Sequence, residues 1–126
     1  MIRRLAGLVL ALGLAAPFAV PLAAQETAVE SGTGAVLRGL DKVNGESRDI
    51  EIGRGETGTV FGLDIALSDC RYPAENPTGD AFAYLTIWER GAAQAAFEGW
   101  MIASSPALNA LDHSRYDIWV LRCITP

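Results

Sequence analysis

One histidine, two cysteines and two methionines in 126 residues leave whole classes of chemistry without raw material. Zinc and iron–sulfur centres are built from clustered Cys and His, and this chain has no Cys-x-x-Cys pair to start one. No metal and no cofactor is therefore expected. A basic stripe is missing too, since 15 acids oppose 10 bases and the formal charge is −5. A surface of that sign has nothing with which to neutralise phosphates or anionic headgroups, which argues against nucleic acid and anionic lipid as partners. Also lacking is a Gly-x-Ser-x-Gly elbow of the kind that presents a hydrolase serine. Beyond the N-terminal region no apolar run approaches the roughly 20 residues of a membrane span.

What is present begins with an address. Arg3 and Arg4 precede the apolar run Leu5 to Phe18; Pro17 and Pro21 break it before Leu22-Ala23-Ala24. Basic start, apolar middle and small-residue exit are the order of a secretory signal peptide cleaved near Ala24. The run is too short, and too interrupted by proline, for a retained anchor, so no membrane insertion is expected after cleavage. Loss of the leader removes two arginines and no acid, which makes the remaining chain more acidic still. The expected organisation is a signal peptide over 1–24, a flexible polar arm over 25–34 and a single β-rich domain over 35–126.

An exported chain with an even cysteine count favours a bridge over free thiols. Cys70 and Cys123 lie 53 positions apart. Closing a loop of that length stabilises by about 4 kcal/mol in the chain-entropy account.

Periodicity points to strands. Asn44-Gly45 is expected as a two-residue type I′ turn, which would set Asp41 across from Arg48, Arg38 from Glu51 and Leu37 from Ile52. Gly53 to Gly58 reads as a connector. Phe61, Leu63, Ile65 and Leu67 alternate with small or polar residues, as in a half-buried strand ending near Cys70. Tyr72 to Asp80 is the longest expected loop. Ala81 to Glu89 is apolar on both faces, which suggests a strand between two layers. Phe97 to Ala103 and Tyr116 to Cys123 read as further strands. Ser104-Ser105-Pro106 looks like a capped helix start. The fold class expected is all-β: a small sandwich or partly open barrel of six to seven short antiparallel strands, one short helical turn and one disulfide.

Several strings carry a resemblance. Leu40-Asp-Lys-Val-Asn-Gly45, Phe61-Gly-Leu-Asp-Ile65, Cys70, Phe97-Glu-Gly-Trp-Met-Ile-Ala-Ser-Ser-Pro-Ala-Leu108, Asp112-His113 and Tyr116-Asp-Ile-Trp-Val-Leu-Arg-Cys123 together resemble the secreted proteobacterial family of domain-of-unknown-function 2155. The resemblance spans roughly Ala35 to Cys123. It implies export across the inner membrane of a Gram-negative cell, hence the periplasm, and it implies no particular reaction.

Candidate chemistry is sparse. Ser104 or Ser105 with His113 and Asp117 are the residue types of a hydrolase triad, though adjacency in sequence is not triad geometry. Asp112, His113 and Asp117 are too few to make a convincing metal site. Trp88, Trp100 and Trp119 either fill the space between sheets or stack on sugar rings. Alternation with Leu121 and Cys123 places Trp119 in the core, whereas Trp100, in a glycine-flanked stretch, is the one expected at the surface. The candidate binding surface is accordingly Trp100, Ser104, Ser105, His113, Tyr116 and Asp117. The expected function is a non-catalytic periplasmic binding or accessory role toward an envelope protein or cell-wall glycan. Its alternatives are a cell-wall hydrolase using Ser104 or Ser105, His113 and Asp117, and an inhibitor of a secreted lysozyme or protease that inserts Tyr72–Asp80 or Ala103–Leu108.

Overall fold

A computed structural model describes residues 7, 10–18 and 28–126. The expected cleavage site at Ala24 lies outside the described residues. Residues 10–18 of the apolar N-terminal run are exposed and without regular structure. No helix among the described residues is long and apolar enough to cross a membrane.

Eight strands follow in order: β1 (Val29–Ser31), β2 (Gly34–Asp41), β3 (Ser47–Gly53), β4 (Thr57–Val60), β5 (Leu63–Pro73), β6 (Phe82–Glu89), β7 (Phe97–Ile102) and β8 (Tyr116–Ile124), with one 3₁₀ turn at Pro106–Leu108. They form two antiparallel sheets that do not close into a barrel. In the larger, β6 and β7 extend one side of the long β5, while β4 and β1 share its other side, at the two halves of the strand. The smaller sheet runs β3-β2-β8.

One core lies between them. Leu63, Ile65 and Leu67 of β5 and Ala83, Leu85 and Ile87 of β6 meet Ala35, Leu37, Ile52, Ile118 and Val120 of the smaller sheet. Full burial of each large aliphatic chain contributes about 1.5–3 kcal/mol. The strands that line the core turn alternate residues inward, as period two requires.

Two bulges decide which residues those are. In β5 Leu67 faces Leu85 and Asp69 faces Tyr84, leaving Ser68 as an extra residue; in β8 Val120 faces Leu37 and Arg122 faces Val36, leaving Leu121 extra. An extra residue reverses the alternation beyond it. Cys70 therefore points inward after Leu67, and Cys123 points inward after Val120. The two form a disulfide across the sheets, with Cα atoms 5.7 Å apart.

The chain passes between sheets at the same place. Gly32 donates its N–H to the Cys70 carbonyl (2.7 Å) and Thr33 to the Ile124 carbonyl (2.8 Å). A Cβ on Gly32 would lie 2.6 Å from the Ile124 oxygen and 3.1 Å from the Cys123 Cβ, so only glycine passes here.

Several expectations are corrected. The arm expected over 25–34 is part of the fold from β1 onward, because its backbone completes the edge of β5 and Glu30 accepts a hydrogen bond from the Tyr72 hydroxyl. Asn44-Gly45 is not a type I′ turn: only Gly45 has positive φ (+74°), and the loop spans four residues between Asp41 and Glu46. The Asp41 carboxylate takes the Val43 N–H, and Asn44 takes that of Glu46. The register moves by two, so Arg38 meets Asp49 and Leu37 meets Ile50. A shift of two preserves which residues face inward, so the core survives the error. The connector contains β4, and Phe61 belongs to the tight turn after it, at φ +51°. β6 buries only one face; Phe82, Tyr84 and Trp88 lie half-buried on the other. Trp119 is half-buried on the outside of β8 rather than in the core, since the Leu121 bulge breaks its alternation with Cys123. Serine does not cap the 3₁₀ turn with its side chain.

Replacing Cys70 and Cys123 together by serine is expected to lower unfolding free energy by about 4 kcal/mol, read from urea titration. Leu85→Ala, at the centre of the core, should cost about 2–5 kcal/mol in the same assay.

Candidate functional site

The outer face of the larger sheet is built from residues the core does not use. Cross-strand pairing sets Arg71 beside Phe82 and Tyr84 beside Trp100. Tyr84 meets Trp100 edge-on, with centroids 5.3 Å apart, and the Arg71 guanidinium lies 5.0 Å over the indole. Val29, Arg71, Phe82 and Trp100 line an open groove of about 270 Å³. Asp69 accepts from Arg71 Nε at 2.9 Å and orients the guanidinium from below. Burial alone would raise the Asp69 carboxyl, but hydrogen bonds led by that from Arg71 outweigh it and hold the group below its ordinary range. The tyrosine hydroxyl donates to Glu98 (3.2 Å). Burial, reinforced by that carboxylate, pushes the Tyr84 phenol up, so it stays protonated and a donor.

A second polar cluster surrounds the only histidine. His113 Nδ1 accepts two backbone N–H groups, from Arg115 and Tyr116, each at 3.0 Å. That nitrogen is therefore bare, and Nε2 carries the proton it donates to Glu89 at 2.6 Å. The His113 carbonyl accepts from Lys42 Nζ, and Lys42 N–H bonds the Arg115 carbonyl. Arg115 donates through Nη2 (2.9 Å) and Nε (3.2 Å) to Asp41, which is only 2% exposed. That hydrogen bonding lowers the Asp41 carboxyl against the opposing pull of burial. Tyr116 stacks on Phe61 with centroids 5.6 Å apart and planes 3° from parallel, and Arg48 covers the far side of Phe61. The whole cluster straps the end of β6 to the β2–β3 loop.

The expected candidate residues are thus dispersed. Trp100 lines the groove; Ser104, Ser105, His113, Tyr116 and Asp117 do not. Ser104 Oγ donates to Asp80 at 2.6 Å, and its N–H bonds the other oxygen of the same carboxylate. Ser105 begins the 3₁₀ turn. Asp117 receives the N–H of its neighbour Ile118. His113 and Tyr116 come together, with rings 5.1 Å apart, but both imidazole nitrogens are already engaged. No serine hydroxyl among the described residues hydrogen-bonds His113, and the Ser–His–Asp set weighed from sequence is not brought together. Among the described residues no three His, Cys, Asp or Glu side chains gather as metal ligands.

Val29, Arg71 and Phe82 complete the groove, with Tyr84 beside it against Trp100, and none of the four is among the candidates from sequence. The alternation of β6 did place Phe82 and Tyr84 on one face, yet it could not say which face looks outward. Arg71 is turned outward only by the Ser68 bulge.

A family model described as "Uncharacterized protein conserved in bacteria (DUF2155)" matches residues 35–123. No curated protein matches the chain, and no solved structure does.

The strap makes stability depend on acid. A carboxyl with a lowered pKa stabilises the fold above its unfolded value, about 3.9, and that contribution disappears as pH falls through the folded value. Asp41→Asn should therefore unfold at lower urea concentration than the native chain at pH 7, with the gap narrowing toward pH 3. An equal gap at both values would rule out ionisation as the cause.

Proposed function

The chain belongs to this uncharacterised bacterial family, and on that premise we propose that it is an exported, non-catalytic binding domain that meets cell-wall glycan with the outer face of its larger sheet. The observation that carries this reading is the row of Phe82, Tyr84 and Trp100, half-buried on a face that contributes nothing to the core. Large aromatic side chains lose their hydrophobic gain when left facing water, so a contiguous set on an outer face marks a surface made to be covered. Sugar rings suit it, because their flat C–H faces lie on aromatic rings while hydroxyls find polar groups at the margin. Here Asp69, Arg71 and the Tyr84–Glu98 pair supply those groups.

Two features support the compartment and the lack of catalysis. The Cys70–Cys123 bridge persists where thiols are oxidised, as in the periplasm. A nucleophile and base within reach of each other are missing from the places where they were expected: Ser104 is tied to Asp80 and His113 to Glu89.

Cosedimentation with purified peptidoglycan sacculi tests the proposal. The native domain should pellet with sacculi, and Trp100→Ala should weaken binding about tenfold or more, as loss of a central aromatic anchor does. Thermal unfolding should show that variant folded. Unchanged binding, or release of soluble sugar that His113→Ala abolishes, would overturn the reading.

A further inference from the structure

The groove beside Trp100 has a charge its surroundings lack. The chain is acidic, yet of the four side chains lining this groove one is charged, and it is Arg71. Its guanidinium is held at two points: Nε by Asp69 and the flat face by the Trp100 ring. Neither Nη nitrogen has a hydrogen-bond partner among the described residues. A guanidinium oriented in this way presents its two Nη groups as donors in one plane, the geometry that a carboxylate accepts.

We infer that the groove takes an acidic sugar, with the ring against Phe82 and Trp100 and its carboxylate on the Nη atoms of Arg71. The inference rests on the glycan-binding reading and adds the class of sugar. Charge complementarity supplies the carboxylate, since the groove offers a cation and no lining acid. The face of the sheet supplies the sugar. β6, which carries Phe82 between β5 and β7, spends its backbone N–H and C=O groups on those two ladders, so an extended peptide lying across the face there would leave its own amides unpaired. A sugar ring carries no such obligation. The groove, at about 270 Å³, is also small for anything beyond one or two rings.

Within cell-wall glycan the matching unit is N-acetylmuramic acid with a free lactyl carboxylate, alternating with neutral N-acetylglucosamine. The test is a titration of the domain's tryptophan fluorescence with two probes: peptide-free strands of that alternating polymer, and chitotetraose, which carries no carboxylate. The acidic strands should bind about tenfold more tightly or better, the worth of one charge-assisted contact. Arg71→Gln should abolish that preference, so that the variant binds the two probes alike, and thermal unfolding should show it folded. Trp100→Ala should weaken both probes.

Equal affinity for the two probes, indifferent to Arg71→Gln, would overturn the acidic-sugar inference and leave glycan binding standing. Binding of neither probe would remove both. Binding of the free stem peptide in place of the strands would likewise overturn the inference, by assigning the groove to a peptide carboxylate.

Discussion

Everything in this fold is arranged around one crossing point, where the two sheets are joined covalently and the chain itself passes between them. The Cys70–Cys123 bridge links β5 of the larger sheet to β8 of the smaller, and the chain passes it at Gly32, whose N–H bonds Cys70 on one side while that of Thr33 bonds Ile124 on the other. A domain this small buries a limited fraction of its surface, so a covalent link between its layers carries a large share of its stability. The bridge forms only because each strand holds one extra residue. Without Ser68 and Leu121, regular alternation from the core residues would turn both sulfurs outward.

Those bulges also determine what the protein shows to its surroundings. Beyond Ser68, Arg71 faces outward where it meets Trp100; before Leu121, Trp119 is left outside with it. None of the three tryptophans enters the core, which is filled by aliphatic chains together with Tyr72, Phe97 and Met101. The aromatic surplus therefore lies on the outer faces, and the larger sheet gathers most of it.

The opposite device holds the polar end of the molecule. His113 spends its bare nitrogen on two backbone amides and its protonated nitrogen on Glu89, while Arg115 neutralises the buried Asp41. His113, one of a set that looks catalytic in the sequence, is here employed in a strap across the two layers, while Ser104 and Asp117 are bonded elsewhere. The strain of Phe61, a bulky residue at positive φ, is offset at the same place by its stack on Tyr116. Strain of this kind persists only where its neighbours overdetermine it.

Alternation, turn residues and paired cysteines were legible without coordinates because they are local or nearly so. They pointed to an all-β chain with one bridge and put Leu63, Ile65 and Leu67 of β5 on one face; in β6 they sorted the residues into two faces without separating the buried one from the exposed. They set Trp100 at the surface and Trp119 in the core, whereas all three tryptophans lie outside the core. The bulges, the strand hidden in residues 57–60, the four-residue loop at Lys42–Gly45 and the partners of His113 were decided by tertiary contacts. A bulge leaves no mark in composition, since its extra residue is chosen by a partner strand far away in sequence. The groove likewise unites Val29, Arg71, Phe82 and Trp100 from four strands, and no pattern within any one strand could have brought them together.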